Sequence, residues 1–509
     1  MRSEGLADLY DWRLDRATGT PPLFRQIYVQ VRAAILSGAL APGTKLPSSR
    51  AMATKLGVAR ASAVAAYEQL LTEGYIIARA GSGTFVSTDL SEFLRGPKRK
   101  GRAPSKCISP VQPVAEFERA HAHSEGMPFN TGRTLIDART AEVWKKLTNL
   151  AVRSLGAKDL GYSDPCGLME LRRAISEYLQ AARAVRCEHE QIVITSGTQH
   201  AIEIAIRVLV STGDEVWVED PGYPLTHAQL VLANVRPHPI PVDGEGIIVE
   251  AGRRVAPRAR GAFVTPSHQF PTGVPLSMAR RLELLAWAHE NDAFIIEDDY
   301  TSEFRYSGPA LASLQGLDDD ERVIYVGTLN KALFPGLRIG YAVVPHALLP
   351  AYTSARYLMD RQPPTLYQTV VAEFMRQGHF AGHIRRIRQL YREQRDALAA
   401  TLMHRSADCV DVVVPDQGMH LVAYLRGGKC DLDVEAAAAR SGIVVRAISR
   451  FYRASPARSG LMLGFSGFPR QVIIPAAARL GKVLADTATG SRRETDTEGQ
   501  AIFVGSGNG

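Results

Sequence analysis

The 509-residue chain has 45% hydrophobic and 22% charged residues, a globular composition that excludes a chain disordered throughout. Its length predicts about three structural units. The formal net charge of +8 is small for this length. The positions of the basic clusters therefore say more about binding partners than the net charge does. The cysteines lack CxxC or other metal-ligand spacing, which predicts reduced thiols and neither a metal site nor a disulfide framework. They are Cys107, Cys166, Cys187, Cys409 and Cys430.

The sequence shows no pattern of export or membrane insertion. Residues 1–15 (MRSEGLADLYDWRLD) alternate charged with apolar side chains instead of forming the apolar segment of a signal peptide. No apolar run approaches the length of about 18 residues that a membrane helix needs. Even AIEIAIRVLV (201–210) is interrupted by Glu203 and Arg207. We therefore expect a soluble, cytoplasmic protein.

A basic, turn-rich stretch divides the chain. RGPKRKGRAPSK (95–106) has no apolar periodicity and contains two prolines that would break a helix. The polar, Gly- and Ser-rich end of the chain predicts a disordered tail. The predicted organisation is a domain at 1–88, a basic linker at 89–125, a large domain at 126–488 and a tail at 489–509.

The first domain opens with three predicted helices. PLFRQIYVQVRAAILSGAL (22–40) has apolar residues at helical spacing and a glycine-containing end. Ser48 or Ser49 can cap a short second helix that Gly57 ends, and a third helix begins near Arg60. Two short helices joined by a tight turn are the helix-turn-helix geometry, whose second helix enters the DNA major groove.

A strand pair follows the third helix. YIIARAGSGTFV (75–86) predicts two strands around a Gly-Ser-Gly turn, which form a basic wing carrying Arg79. From the pattern alone, a small helical domain used for protein contacts, with the arginines as solvated charges, is the alternative to DNA binding.

PGTKLPSSR, LGVAR and GSGTFV occur in this order and resemble the winged helix-turn-helix of GntR-type transcription regulators. The chain departs from that pattern at Ala59, where serine commonly caps the recognition helix, and at Ser62, where threonine is usual. The lost cap costs about 1 kcal/mol and leaves the fold intact. By resemblance, hydroxyls and backbone amides hold phosphates and arginines can read guanine edges. The implied DNA-binding residues are Ser49, Arg50, Arg60, Ser62, Arg79 and Gly83.

After the linker, strand and helix patterns alternate. This alternation predicts a mainly parallel sheet covered by helices on both faces. The predicted strands are QIVIT, DEVWVED, GAFVTP, AFIIEDDY and RVIYVG, and the clearest helices are LMELRRAISEYLQAARA and MARRLELLAWAHEND.

VIYVGTLNKALFPGLRIGY (323–341) places Lys331 after an apolar, β-rich run and before a Pro-Gly turn. A lysine is most often a solvated surface charge. Its amine can also form a Schiff base with an aldehyde such as pyridoxal 5'-phosphate (PLP). PLP further needs a phosphate cradle, an acid for its ring nitrogen, a ring to stack on and a partner for its phenolate.

Two neighbouring motifs can meet these needs. AFIIEDDY (293–300) ends a predicted strand in three carboxylates, at the strand end where open α/β sheets bind ligands. A carboxylate there can hold a pyridine nitrogen protonated, although a metal-binding cluster or a solvated strand end also fits. TSGTQHAIEIAIRVL (195–209) enters a helix whose first amides favour an anion, as many α/β turns do. Thr328 and Arg338 can add a hydroxyl and a guanidinium to the same phosphate.

The motifs SGT, DPGY, PTG, EDDY, T-x-x-K and RIGY occur in order and resemble fold-type I, aspartate-aminotransferase-like PLP enzymes over residues 126–485. The resemblance implies that Lys331 is the Schiff-base lysine and Asp298 the partner of the pyridine nitrogen. Tyr162 matches a tyrosine that reaches the phosphate of the neighbouring subunit, which also implies a homodimer. The other implied contacts are Tyr300 with the phenolate, Tyr223 with the ring, and Gly197, Thr198, Thr328 and Arg338 with the phosphate.

A GntR-like region joined by a linker to an aminotransferase-like region is the layout of MocR-type transcription regulators, which the chain resembles over nearly its whole length. The implied fold is multidomain: a mainly α winged helix-turn-helix, then an α/β aminotransferase fold type I with a small C-terminal α+β subdomain. The implied partners are double-stranded DNA, PLP and an amine or amino acid that forms an adduct with PLP.

Several positions depart from the aminotransferase pattern. Asn330 stands where serine is common, and Phe270 stands where asparagine usually precedes PTG. His268 or Gln269 can supply the missing polar contact, so His268 is included among the cofactor-binding candidates. Met462 stands where aminotransferases carry an arginine for the substrate carboxylate.

Three functions fit these patterns. In the first, PLP or its adduct with an amine shifts the geometry of a dimer and of its DNA-binding domains. The second is an active aminotransferase with an accessory DNA-binding domain. The third, a DNA-binding protein whose large domain only dimerises, is disfavoured by the intact Lys331 and Asp298. We favour the first and expect little or no turnover, because Met462 cannot replace a bidentate guanidinium unless another arginine, such as Arg446, reaches the site.

Overall fold

The computed structural model describes residues 12–89, 126–157, 159–308 and 311–487. The chain forms two compact units, Met1–Ile108 and Ser109–Gly509. The predicted linker, apart from Asp89, and the predicted tail (489–509) lie outside the described residues, and the predicted domain boundaries stay predictions. None of the helices in the described ranges combines the length and the apolar content needed to cross a bilayer.

The first unit is a winged helix-turn-helix. Ser48 caps the second helix by accepting from the amide of Ala51 (3.1 Å), and Gly57 ends it in the left-handed region at φ 62°, as predicted. The third helix begins at Arg60. The two strands of the wing pair antiparallel, and their register places Arg79 opposite Gly83. The helices are α1 (Leu23–Leu36), α2 (Ser49–Leu56) and α3 (Arg60–Thr72), and the antiparallel strands, in sheet order β1-β3-β2, are β1 (Lys45–Leu46), β2 (Ile76–Arg79) and β3 (Gly83–Val86).

The second unit is built on an eight-stranded sheet in the order β4-β11-β10-β9-β8-β5-β6-β7. Its central pairs from β10 to β6 are parallel, while β11 and β7 pair antiparallel with their neighbours. The predicted mainly parallel sheet is therefore confirmed. The strands are β4 (Ile192–Thr195), β5 (Glu215–Asp220), β6 (Arg236–Asp243), β7 (Gly246–Ile247), β8 (Gly261–Val264), β9 (Phe294–Asp299), β10 (Val323–Thr328) and β11 (Gly340–Val343).

Helices cover both faces of this sheet. Alternate residues of β10 belong to different apolar clusters, with Tyr325 on one face and Ile324 and Val326 on the other. Strands buried on both faces read as continuous apolar runs, which is why the sequence revealed them. The helices are α4 (Ala138–Ser154), α5 (Met169–Arg183), α6 (Thr198–Leu209), α7 (Pro224–Leu232), α8 (Val249–Val255), α9 (Met278–Glu290), α10 (Leu314–Leu317), α11 (Leu349–Asp360), α12 (Thr365–Arg376) and α13 (His379–Arg405).

A small α+β subdomain completes the second unit, as predicted. Its antiparallel sheet has the order β12-β13-β15-β14. This subdomain shares one apolar cluster with the large sheet, since Leu463 and Leu480 belong to the same core as Ile194. The shared core explains why the chain forms two units instead of the three that its length predicts. The elements are β12 (Val410–Val413), β13 (His420–Leu425), α14 (Asp431–Arg440), β14 (Arg446–Ala447), β15 (Gly460–Gly464) and α15 (Arg470–Asp486).

Candidate cofactor site and DNA-binding surface

A cavity of about 600 Å³ opens between the large sheet and the C-terminal subdomain. It lies at the carboxyl ends of parallel strands, where open α/β sheets bind ligands. The folding of distant segments brings half of the predicted cofactor-binding residues to its wall. These are Thr198, Tyr223, Asp298, Tyr300 and Lys331.

Lys331 follows the end of β10 and is half-buried on the cavity wall. Its amine lies against Gly132, where φ is 76° and any Cβ would collide with the lysine Nζ. Burial, and then the positive charge of Arg338, lowers the pKa of Lys331. A lowered pKa increases the fraction of neutral amine, which is the nucleophilic form.

The three carboxylates at the end of β9 have three different environments. Glu297 accepts from the backbone amides of Leu314 and Gln315, both at 3.0 Å, so it holds the start of α10. Asp299 pairs with Arg183 (2.7 Å). Asp298 lies between them in sequence but lines the cavity.

The Asp298 side chain is half-buried, and one of its carboxylate oxygens is left without a partner in the described residues. Its Oδ1 atom has no hydrogen-bond partner there. Burial, followed by the charges of Asp299 and Glu219, raises the pKa of Asp298 to about 7. A cationic group in the cavity would relieve this cost, because an opposite charge favours the ionised carboxylate. The environment of Asp298 therefore fits a protonated ring nitrogen.

Two tyrosines and a phenylalanine form the aromatic part of the wall. The Tyr300 hydroxyl donates to the carbonyl of His268 at 2.9 Å. The Tyr223 ring meets that of Phe270 edge-to-face, with centroids 5.2 Å apart. Burial, and then the negative charge of Asp298, raises the pKa of Tyr223 to about 12, so its hydroxyl stays protonated at neutral pH.

A candidate anion cradle lies at the start of α6. Gly197 is the N-cap, with φ 107° and no side-chain cap, so the first amides of the helix are left for an anion. Arg338 donates from Nη2 to the carbonyl of Ser196 at 2.6 Å. A Cβ at Gly197 would lie 3.2 Å from the same Nη2 atom, so a side chain there would crowd the guanidinium. Thr198 begins the helix and reaches the cavity wall.

Asn330 explains one departure from the aminotransferase pattern. Its side-chain Oδ1 atom accepts from the backbone amide of Ile339 at 2.9 Å, and its backbone amide donates to the Thr328 hydroxyl at 3.1 Å. The asparagine therefore closes the turn between residues 330 and 339, and Lys331 and Arg338 lie at the two ends of that turn. Thr328 is itself buried beneath that turn.

The other five predicted cofactor residues do not line the cavity: Gly197, Thr328 and Arg338 belong to the cradle and turn described above, and His268 and Tyr162 lie elsewhere. The His268 side chain is buried and packs against the ring of His420, with centroids 4.9 Å apart. Gln269 donates to the carbonyl of Pro221 at 2.8 Å and so holds its own loop. Tyr162 is 76% exposed, and the Arg361 guanidinium stacks 3.8 Å from its ring centroid. The roles predicted for His268 and Tyr162 remain predictions.

Several residues on the wall were not predicted from sequence motifs. His420 belongs to no recognised sequence motif, yet its side chain borders the cavity. Its Nε2 atom lies 3.0 Å from the carbonyl oxygen of Pro271. Arg450 and Arg453 also line the cavity, as does Arg446, for which the sequence offered no motif. Strand pairing within the C-terminal subdomain brings this segment to the site, and no local signal reveals such pairing.

The predicted DNA-binding residues lie on the surface of the first unit. Arg50, Arg60 and Arg79 are exposed, as is Gly83, while Ser49 and Ser62 are half-exposed. The Arg79 guanidinium lies 5.1 Å from the ring centroid of Phe85, which supports the base of the wing. The two helices and the wing therefore present their basic side chains to solvent.

Comparison with known proteins supplies the family. Residues 23–86 match the family described as bacterial regulatory proteins, gntR family, and residues 124–460 match aminotransferase class I and II. The probable rhizopine catabolism regulatory protein MocR of Rhizobium meliloti is 38% identical over 89% of this chain and 92% of its own length. The chain belongs to the MocR-type transcription regulators.

Another transcription regulator and a solved aminotransferase structure are also similar to this chain. The pyridoxine biosynthesis regulator PdxR of Corynebacterium glutamicum is 32% identical over 86% of this chain and 91% of its own length. A kynurenine aminotransferase structure from Pyrococcus horikoshii shares 26% identity and a TM-score of 0.67, covering 77% of this chain and 98% of that one. This MocR-type protein thus has a DNA-binding GntR region and a PLP-binding aminotransferase-like region.

The residues present fit PLP. The cavity offers an amine of lowered pKa at Lys331, a half-buried carboxylate at Asp298 that lacks a hydrogen bond at Oδ1, and an uncapped helix start at Gly197. These are the partners that an aldehyde, a pyridine nitrogen and a phosphate require. In the described residues, no group of three His, Cys, Asp or Glu side chains could hold a metal ion.

Proposed function

We propose that this protein is a homodimeric transcription regulator whose DNA binding changes when an amine reacts with PLP held at Lys331. One observation carries the proposal: the Lys331 amine and the Asp298 carboxylate face one cavity in a chain that also bears a DNA-binding unit. A regulator needs a ligand-dependent site and a DNA-binding surface, and here both lie in the same polypeptide.

PLP, when bound, supplies an aldehyde that condenses with primary amines and a ring that withdraws electrons. Lys331 holds that aldehyde, and its lowered pKa keeps a fraction of the amine unprotonated. Asp298 keeps the ring nitrogen protonated. In the same proposal, Tyr223 stacks on the ring, Tyr300 contacts the phenolate, and His268 positions Tyr300 through its backbone carbonyl. The phosphate is held by Gly197, Thr198, Thr328 and Arg338.

The DNA-binding role rests on the exposed face of α2, α3 and the wing. In this proposal the exposed Arg60, at the start of α3, reads a base edge, and the exposed Arg50 and Arg79 hold phosphates. Ser49 and Ser62 add hydroxyls, and Gly83 lets the wing backbone approach the DNA.

The proposed dimer rests on an exposed apolar patch formed by Leu160, Tyr162, Tyr357 and Leu358. Leu160 is 76% and Leu358 85% exposed. The two segments of the patch are joined, because Arg361 lies 3.8 Å from the ring centroid of Tyr162 and 5.5 Å from that of Tyr357. Clustered apolar side chains of this kind mark protein interfaces. A second copy of this chain is the occupant we propose, since Tyr162 resembles a residue that crosses such an interface.

Borohydride reduction of the PLP-loaded protein tests the attachment site. We expect peptide mapping to find the reduced cofactor on Lys331, and Lys331→Ala to lose it while keeping its thermal unfolding transition. Lys145→Ala, a surface change in an exposed pair with Glu142, is the control and should keep the label. Label on another lysine in the wild type would refute the assignment.

DNA binding by the same samples tests the regulatory part. Arg60→Ala should weaken binding to the gene's own promoter by about 1–3 kcal/mol if the side chain reads a base edge. A phosphate contact would instead weaken binding to all sequences and reduce the slope of affinity against salt. Unchanged affinity would contradict the DNA-binding model, and promoter binding that is identical with and without PLP and amine would contradict the regulatory model.

A further inference from the structure

A buried histidine behind the cavity wall contacts the backbone next to Lys331. His383 lies on α13 and its side chain is fully buried. Its Nε2 atom lies 3.0 Å from the carbonyl oxygen of Ala332, the residue that follows the lysine. Its Nδ1 atom lies 2.9 Å from the hydroxyl oxygen of Thr140, on α4. The imidazole therefore bridges α4 and the turn that carries Lys331.

The partners of His383 determine which ring nitrogen carries the proton. Burial lowers the pKa of His383, so the ring is neutral at neutral pH and has one N–H group. A carbonyl oxygen can only accept, so this N–H group lies on Nε2 and donates to Ala332. The Nδ1 atom then accepts from the Thr140 hydroxyl. Both ring nitrogens are used, and this fixes the orientation of the ring.

An ion pair at the start of α4 orients the Thr140 hydroxyl. Arg386, three residues after His383 on α13, donates from Nη2 to the Thr140 hydroxyl oxygen at 3.0 Å. The Arg386 guanidinium also pairs with Asp137, the N-cap of α4, which accepts from the Thr140 amide at 2.6 Å. The hydrogen bonds thus run in one direction, from Arg386 through Thr140 and His383 to Ala332. Chains of this kind polarise and strengthen their members.

The acceptor of this chain lies in the turn that sets the position of Lys331. Residues 329–333 form a single turn that is closed by a backbone hydrogen bond of 2.8 Å between its ends. Asn330 fastens the backbone before the lysine, through the side-chain hydrogen bond described above. His383 fastens the residue after the lysine, Ala332. The backbone is therefore held on both sides of Lys331, which restricts where its amine can lie.

The reaction at Lys331 depends on where the amine lies. The amine is packed against the backbone of Gly132, because a Cβ there would lie 2.4 Å from Nζ. In the condensation, the amine nitrogen bonds to the aldehyde carbon, and its two protons leave with the aldehyde oxygen as water. Misplacement by about 1 Å can slow a reaction on the order of a hundredfold. A shift of Ala332 would therefore slow this condensation more than it would weaken contacts to the ring and the phosphate.

We propose that His383, oriented by Thr140, is a positioning residue that places the Lys331 amine for reaction with the PLP aldehyde. This inference deepens the proposed function and rests on its assignment of Lys331 as the attachment site. His383 does not line the cavity, so it acts through Ala332 and not by contact with the cofactor. The competing explanation is that His383 only stabilises the packing of α4 against α13.

The test separates bond formation from cofactor binding in the full-length protein. Bond formation is followed by absorbance after PLP is added to the cofactor-free protein, and borohydride trapping identifies the lysine. Binding is measured by equilibrium dialysis with pyridoxamine 5'-phosphate, which has the same ring and phosphate but no aldehyde. His383→Asn, whose amide reaches the position of Nδ1 but not that of Nε2, should slow bond formation about tenfold or more and change pyridoxamine 5'-phosphate binding by less than about twofold. His383→Gln, which places an N–H donor near the position of Nε2, should restore most of the rate.

Thr140 supplies a second pair of variants. Thr140→Val keeps the size of the side chain but removes the hydroxyl, so it should slow bond formation without weakening binding, by a smaller factor than His383→Asn. Thr140→Ser keeps the hydroxyl and should behave as the wild type. His404→Asn is the matched control, because His404 is exposed near the end of the same helix, and it should also behave as the wild type.

The outcomes separate this inference from the proposed function. If His383→Asn leaves the rate unchanged, or if both His383 variants reduce the rate and the binding equally, the inference is wrong while the proposed function stands. If His383→Asn does not fold, equal rates in Thr140→Val and Thr140→Ser overturn the inference. If borohydride labels a lysine other than Lys331 in the wild type, the proposed function fails and the inference fails with it.

Discussion

At the scale of single residues, the site shows how neighbouring carboxylates acquire separate roles. Glu297 is satisfied by two backbone amides and Asp299 by Arg183, so both stabilise the fold. Asp298 is left at the cavity with a raised pKa, which is a cost to the protein without its cofactor. Such a cost at a binding site is expected where function and stability compete.

Asp298→Asn should stabilise the cofactor-free protein at alkaline pH. An aspartate in the unfolded chain has a pKa of about 3.9, whereas Asp298 in the folded chain has a pKa of about 7. Between these values the folded state holds a proton that the unfolded state has lost, so the free energy of unfolding falls as pH rises. Denaturant unfolding should show the variant roughly 1–3 kcal/mol more stable than the wild type near pH 8 and similar near pH 4.

Asp299→Asn is the control for this measurement, because it removes the partner of the buried Arg183 and should destabilise the protein at both pH values. Adding PLP should reverse the order at pH 8, since only the wild type can pair with the ring nitrogen. A difference between Asp298→Asn and the wild type that does not vary with pH would contradict the account of this carboxylate.

At the scale of elements, helix ends explain how the DNA-binding unit and the cofactor cradle are built. The start of α2 is capped by the Ser48 hydroxyl, whereas the start of α3 has no side-chain cap at Ala59. The start of α6 is also uncapped at Gly197. In α6 the uncapped amides are left for an anion, and in α3 they are left for DNA phosphates or water.

Ala59→Ser should stabilise the start of α3, because the N-cap backbone already has the extended conformation (φ −61°, ψ 140°) that a capping serine adopts. We expect hydrogen exchange of α3 amides in the full-length protein to slow by an amount equivalent to about 1 kcal/mol. Ser48→Ala should have the opposite effect on α2, since it removes the hydrogen bond to the amide of Ala51. Equal exchange in wild type and both variants would show that neither cap matters.

At the scale of the whole molecule, one chain joins a DNA-binding unit to an aminotransferase-like unit with an altered ligand wall. Met462 belongs to an apolar cluster with Val422, Ile448 and Phe451, so the position of the usual arginine has become part of a core. The nearest cationic group by strand pairing is Arg446. The chain thus retains the predicted contacts for PLP, whereas an apolar side chain stands where aminotransferases carry the arginine for the substrate carboxylate.

We expect slow or absent transamination of α-amino acids. Turnover requires the carboxylate to be held so that the Cα–H bond stands perpendicular to the cofactor ring, and such positioning supplies several kcal/mol of the barrier. Met462 cannot hold a carboxylate there. Alanine and aspartate, each with 2-oxoglutarate, should be consumed more slowly than about 1 per second. Faster multiple turnover would favour the enzyme hypothesis over the regulator.

Leu358→Glu should convert the proposed dimer to a monomer, because it places a charge at the most exposed side chain of the apolar patch. Sedimentation velocity would show the change in mass. Leu282→Glu is the control, since Leu282 is 54% exposed on α9 and lies outside that patch. A wild type that sediments as a monomer, or a Leu358→Glu protein that remains a dimer, would contradict the assigned interface.

The sequence by itself determined the two-region organisation, the helix-turn-helix with its wing, and the identity of Lys331 and Asp298 as candidates. Those features depend on local chemistry: caps, turns, strand-end carboxylates and motif order are written within short segments. Only the tertiary structure decided that Asp299 pairs with Arg183, a residue of α5, and that Arg446 lies beside Met462. These arrangements depend on contacts between residues far apart in the chain, and a linear pattern carries no information about which strands pair or which helix supplies a counter-charge.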